Sequence, residues 1–188
     1  MNIVRIFALT EGSLYTVQFD NEPEHEWSRL FEAWNDITFL EDFFEKHKAD
    51  LIAGFFGNID IETAILITME ESGTLEKTIL ELSLKGKKNK YGALQTFFKS
   101  LDDKSTGIIP LNKEKAYGSR KKSWLRIYAI RIASNTYVIS GGAIKLTKTM
   151  NEREHLRAEL DKLEKTKQYL INEGLLDEND FDFLELTQ

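Results

Sequence analysis

The chain has no cysteine, which excludes disulfide bridges and thiolate metal sites and suits a reducing compartment. Histidine is nearly as scarce: His25, His47 and His155 are scattered, no HExxH or EF-hand spacing occurs, and no metal site is expected. Each histidine is expected at the surface. No apolar run approaches the roughly 18 residues that span a bilayer. The opening residues lack the cationic start and small-residue cleavage site of a signal peptide. A cytoplasmic protein with no membrane partner is therefore expected. No glycine-rich phosphate loop is present, because Gly141-Gly142 is followed by neither a later glycine nor a Lys-Ser/Thr pair. No serine or cysteine nucleophile motif occurs, and no cofactor is expected.

What the chain does have is enough apolar surface to fold. Over 188 residues it is 41% hydrophobic and 11% aromatic, sufficient to offset the entropy of ordering one domain. That domain is expected over 1–174, with an acidic tail over 175–188. Its charge is segregated. Between Asn112 and Met150 nine Lys and Arg stand against one Glu, a local +8; since the whole chain is −6, the other residues sum to −14. An acidic body argues against coating nucleic acid broadly or binding double-stranded DNA, because counterion release needs basic surface. A local cationic site for phosphate is the sharper reading, and a solvated charged face the plainer one.

Along the chain, Ile3–Leu9 and Leu14–Phe19 are β-prone runs about Thr10-Glu11-Gly12-Ser13, which predicts a hairpin over 3–19. A helical region is expected over 23–101. Pro23 sits where a first helix can start, with Trp27, Leu30, Phe31 and Trp34 on one face. A second helix is expected from Thr38, with Glu41 completing a capping box and Phe39, Leu40, Phe43 and Phe44 facing the core. Asn58 or Asp60 can cap a third through Ile61, Ala64, Ile65 and Met69, which Gly73 ends or kinks before helix resumes over 75–84. Lys85 to Lys90 reads as a basic loop and Tyr91 to Leu101 as a short helix. Asp102 to Ser123, which contains Pro110, reads as an exposed loop in which Ile108, Ile109 and Leu111 could form a short strand.

From Trp124 the pattern turns to strands. Trp124, Arg126, Tyr128, Ile130 and Ile132 are expected on one face, with Leu125, Ile127, Ala129 and Arg131 on the other, in a central strand. Ala133–Thr136 connects to a second strand, in which Gly141-Gly142 allows a bulge or bend. Asn151 can cap a long helix with Leu156, Leu160, Leu163 and Leu170 in one stripe, closed by Gly174. The fold class is thus α+β, a small mostly antiparallel sheet packed against several helices.

The candidate chemistry is cationic. Arg126, Arg131, Lys145, Lys148 and Arg153, with Tyr128 and His155 close by in sequence, could surround one phosphodiester if the strands lie side by side. Lys121 and Lys122 add to the RNA-binding set. Metal-free RNA cleavage needs the 2′-hydroxyl activated, a dianionic phosphorane stabilised and a leaving oxygen protonated; cations supply the second and His155 could move protons near neutral pH. Arg126 and Arg131 alternate, so only one can point straight into a shared pocket, and the pairing of Arg126 with Tyr128 favours Arg126.

The run Leu125-Arg126-Ile127-Tyr128-Ala129, a hairpin, then Val138 to Met150 containing Lys145-Leu146-Thr147-Lys148-Thr149, and a charged helix, resembles the phage-derived HigB-like branch of the RelE/ParE toxin superfamily over about residues 124–170. The resemblance implies a RelE-like core, a small antiparallel or mixed sheet packed against helices, to which this chain adds an N-terminal helical elaboration. It also implies a toxin that cleaves mRNA on the ribosome without a metal and is neutralised by an antitoxin protein. By matching positions, Arg126, Lys145 and Lys148 are phosphate-facing, with Tyr128 and Arg131 beside them. The expected catalytic set is thus Arg126, Lys145, Lys148 and Tyr128, and the expected RNA-binding set Arg131, Lys121, Lys122, Arg153 and His155. The chain departs from that pattern in its length, its net acidity and its aromatic N-terminal helices. The alternative is a non-catalytic protein-interaction module that keeps the toxin-like fold.

Overall fold

Alternating side chains at the N-terminus form the expected hairpin. Strands β1 (Ile3–Thr10) and β2 (Leu14–Phe19) pair antiparallel in the computed structural model, which describes residues 1–20, 22–53, 55–88, 93–101 and 111–181. Helix α1 (Glu26–Ala33) is capped by His25, whose Nδ1 accepts the Ser28 N–H at 3.2 Å. Helix α2 (Ile37–Lys46) starts one residue earlier than the Thr38–Glu41 pattern suggests. Asp36 is the cap, its Oδ1 accepting from the Thr38 and Phe39 N–H groups at 2.8 and 3.2 Å. Leu40 and Phe44 enter the core, whereas Phe39 stays exposed.

After the short α3 (Lys48–Ile52), helix α4 runs from Ile61 to Lys88, and Asp60 rather than Asn58 caps it by accepting the Thr63 N–H and hydroxyl. Gly73 does not end it. The helix presents that glycine to open space, so the roughly 1 kcal/mol propensity cost is outweighed by the buried stripe Ala64, Ile65, Thr68, Leu75 and Ile79. The basic Lys85–Lys88 segment is the last helical turn instead of a loop, where cations suit the negative end of the helix dipole. Helix α5 (Leu94–Phe97) is a single turn, and Tyr91 and Lys90 lie outside the described residues.

Strands flank the undescribed stretch 102–110: β3 (Lys99–Ser100) replaces the end of the helix expected to Leu101, and β4 (Asn112–Tyr117) falls within the expected loop. Ile108, Ile109 and Pro110 lie outside the described residues. Strands β5 (Leu125–Ala133) and β6 (Thr136–Ile144) complete a six-stranded sheet in the order β1-β2-β6-β5-β4-β3. Only the β2–β6 pairing is parallel, so the fold is α+β with a mostly antiparallel sheet and β5 is central.

Each face of the sheet has its own core. Leu125, Ile127, Ala129, Tyr137 and Ile139 meet α1, α2 and α4 on one side; Tyr128, Ile130, Ile132 and Val138 meet helix α6 (Glu154–Asn172) on the other. Trp124 departs from its expected face. It precedes β5, and its indole N–H donates to Thr68 of α4 at 2.9 Å, which draws the ring into the first core. A 3₁₀ turn (Met150–Glu152) precedes α6 and is capped by Thr149 with Glu152; Arg153, not Asn151, stands directly before α6. Gly174 closes α6 with φ 71°, and the Leu175 N–H returns to the Leu170 carbonyl at 2.9 Å. The start of the acidic tail is packed: Leu175 and Phe181 are buried, and Phe181 lies 4.6 Å from the Tyr15 ring. Phe183, Leu184 and Leu186 lie outside the described residues.

Candidate functional site

Strand alternation puts Arg126 and Tyr128 on one face of β5, and register puts Tyr117 and Lys115 of β4 opposite them. The Arg126 guanidinium lies over the Tyr117 ring, 4.0 Å from its centroid, and donates to the Ser123 and Leu125 carbonyls at 2.8 and 2.7 Å. The turn that carries Ser123 is held from α4. Buried Glu71 accepts the Ser123 hydroxyl at 2.9 Å and the Arg120 N–H at 2.8 Å. Lys145 follows β6, and its ammonium donates to the Thr147 and Lys148 carbonyls, 2.7 Å each, curling the 147–149 loop around it. Lys148 is exposed on that loop.

These side chains line one cavity of about 910 Å³: Lys115, Arg126, Lys145 and Lys148 with Tyr117 and Tyr128, together with the apolar Phe55, Phe56, Leu146 and Met150. The volume lies within the range of small-ligand sites. Burial, and for Lys145 the neighbouring Arg126 and Lys115, hold the pKa values of Arg126 and Lys145 below their ordinary ones. No described carboxylate lies within ion-pair distance of Lys115, Arg126, Lys145 or Lys148. Two described carboxylates do line the cavity, and both are engaged. Asp50 accepts from Arg153 at 2.7 Å, which holds its pKa down, and Glu152 accepts the Thr149 N–H.

The other expected residues fall elsewhere. Arg131 is buried on the opposite face and paired with Glu114 at 2.8 Å, because β5 alternation turns it from the cavity and a buried guanidinium needs a counter-charge. Arg153 is tied to Asp50. His155 is half-buried, its Nε2 3.1 Å from the Ile144 carbonyl and its ring 4.8 Å from that of His47; burial lowers both pKa values, and neither ring lines the cavity. The surface position expected for the histidines is thus corrected by aromatic packing, and His25 is a helix cap. Lys121 is exposed in the turn before β5, while Lys122 reaches the cavity rim, donating to the Phe55 carbonyl at 3.1 Å. Tyr128 lines the cavity, but its hydroxyl donates to Met150 Sδ at 2.9 Å and burial raises its pKa, so it stays protonated. Lys115, Tyr117 and Phe55 are additions. The alternation Lys113, Lys115, Tyr117 was the available signal for the first two.

A second charged cluster sits where β2 and β6 part. Their pairing stops at Thr16 and Ile139, and the start of α1 lies beside Gly141. There Lys162 of α6 contacts Glu26 at 2.9 Å and Glu159 at 3.1 Å, and Arg29 contacts Glu26 at 2.7 Å. Burial outweighs the two cations at Glu159 and pushes its pKa up to about 7. Among the described residues, no group of three or more His, Asp or Glu could hold a metal ion. No helix among them is long and apolar enough to cross a membrane. No family model, curated protein or solved structure matches this chain.

Proposed function

We propose that the chain is a RelE/HigB-like, toxin-type protein that binds RNA backbone in the cavity between β4, β5 and the 147–149 loop. One observation carries the reading: Arg126, Lys145 and Lys148, the positions matched to the resemblance, meet at one cavity with no described carboxylate within ion-pair distance. A cation half-removed from water, with no described carboxylate at ion-pair distance, favours an incoming anion, and phosphate oxygens fit the guanidinium and ammonium donors. Arg126 and Lys145 would also stabilise charge that develops on a phosphorane, giving a metal-independent endoribonuclease. The RNA would be mRNA on the ribosome, an antitoxin protein would neutralise it, and the setting would be the cytoplasm.

A second reading is favoured by the engaged proton-transfer groups. Tyr128 is bound to Met150 and His155 stands off the cavity, so a binding protein without cleavage also fits, down to a protein-interaction module on the same fold. The test is induced expression of the native protein and of the Arg126→Ala, Lys145→Ala double variant. Growth arrest and mRNA cleavage with the native form alone support the nuclease. Equal growth and intact mRNA with both remove it, and RNA recovered with the native protein then assigns binding without cleavage.

A further inference from the structure

We infer that the cavity accepts an unpaired nucleotide, its base against the Phe55 ring and its phosphate among Arg126, Lys145 and Lys148. The inference rests on the RNA reading above and specifies its ligand.

Phosphate alone leaves half of the cavity unexplained. The cavity is also lined by Phe55, Phe56, Leu146 and Met150, apolar surface that inorganic phosphate or a stretched sugar-phosphate backbone would not use. A ligand that satisfies both kinds of lining carries an anion and a flat apolar ring within one molecule, and a nucleotide does so. Phe55 is 65% exposed, the largest exposure among the described large hydrophobic side chains. It is nonetheless held in place. Its ring packs 4.8 Å from Phe56, Phe56 packs 5.3 Å from buried Trp124, and Lys122 lies 5.6 Å over the Phe55 ring while donating to its carbonyl. An exposed ring with its position fixed from behind is what a stacking platform requires, since little freedom is left to lose when a base arrives. A volume of about 910 Å³ suits one or two nucleotides and is too small for a duplex about 20 Å across.

The nucleotide could be free or part of a strand. The test measures binding of a labelled single-stranded tetranucleotide, an abasic ribose-phosphate strand of the same length, a short blunt duplex and AMP, to the native protein and to Phe55→Ala, Phe55→Trp and the Arg126→Ala, Lys145→Ala double variant. Phe55→Ala removes an exposed ring, so its thermal unfolding should match the native protein's. The expected result is that Phe55→Ala weakens the base-bearing strand roughly 5- to 100-fold, leaves the abasic strand unchanged, and is rescued by Phe55→Trp. A strand bound more tightly than AMP assigns RNA; equal affinity assigns a free nucleotide. Phe55→Ala binding the base-bearing strand as the native protein does, or duplex binding as tight as single strand, overturns the inference while leaving the phosphate site intact. Native protein that binds neither strand overturns the RNA reading and this inference together.

Discussion

The cavity and the Glu26–Arg29–Glu159–Lys162 cluster both gather charge against the same sheet, yet they balance it in opposite ways. In the cluster, each cation has a carboxylate within 3.1 Å, and helices α1 and α6 seal it against Gly141. In the cavity, Arg126 and Lys145 are held by carbonyl oxygens, which orient a cation without neutralising it. The first arrangement sets its charges against one another, leaving only Glu159 Oε2 of its buried oxygens without a hydrogen-bond partner, and fastens two helices. The second fixes the geometry and leaves the charge for something else to meet.

The largest effect that would break this contrast is expected in the cluster. Lys162→Met leaves Glu26 and Glu159 facing each other with Arg29 alone, and removing one partner of a buried pair typically costs about 3–5 kcal/mol. Denaturant unfolding should show that loss, and a variant as stable as the native protein would mean that the cluster is not what fastens α6. In the cavity the same kind of change should act on binding. The Arg126→Ala, Lys145→Ala double variant should bind single-stranded RNA roughly 10- to 100-fold more weakly while its stability falls far less than that of Lys162→Met. A stability loss as large as its binding loss would erase the distinction between the two regions.

The pH dependence separates them further. Glu159 has a folded pKa of about 7, above its ordinary 4.5. The folded state therefore binds the extra proton between those values, and this group's contribution is full below about 4.5 and is lost as pH rises to about 7. His47 and His155 act with the opposite sign: their folded pKa values lie below the ordinary 6.5, so their contribution is present above 6.5 and lost as pH falls through that value toward the folded ones. Glu159→Gln should make the slope of stability against pH between 5 and 7 more positive, by at most about 1.4 kcal/mol per pH unit. An unchanged slope would assign Glu159 an ordinary pKa. The smallest effect is expected at Lys121, exposed beside the cavity without lining it: Lys121→Ala should change RNA affinity less than about 3-fold at physiological salt, where screening weakens distant charge. A larger loss would extend the site onto the turn before β5.

Much of the architecture was legible because it is local. Two-residue alternation marked β1, β2, β5 and β6, and helical spacing marked α1, α2, α4 and α6, since each of these elements buries one recurrent stripe. Strand β4 was not. Its sequence, Asn112-Lys113-Glu114-Lys115-Ala116-Tyr117, looks like a polar loop because its buried side includes Glu114, which becomes acceptable only when Arg131 of β5 arrives beside it. The α4 helix concealed itself at Gly73 for the same reason: propensity is weak and packing overrides it.

The sequence by itself determined the α+β class, the strand that carries Arg126 beside Tyr128, and the segregation of positive charge into residues 112–150. These follow from periodicity and composition, which act over a few neighbouring residues. Tertiary structure alone decided which of those cations are spent on carboxylates and which remain directed at a cavity. It paired Arg131 with Glu114 and Arg153 with Asp50, drew His155 against His47, and brought Phe55 and Arg126 to the same cavity. The physical reason is that a charge is neutralised by whatever lies within a few ångströms of it, and such neighbours are chosen by the fold from anywhere along the chain.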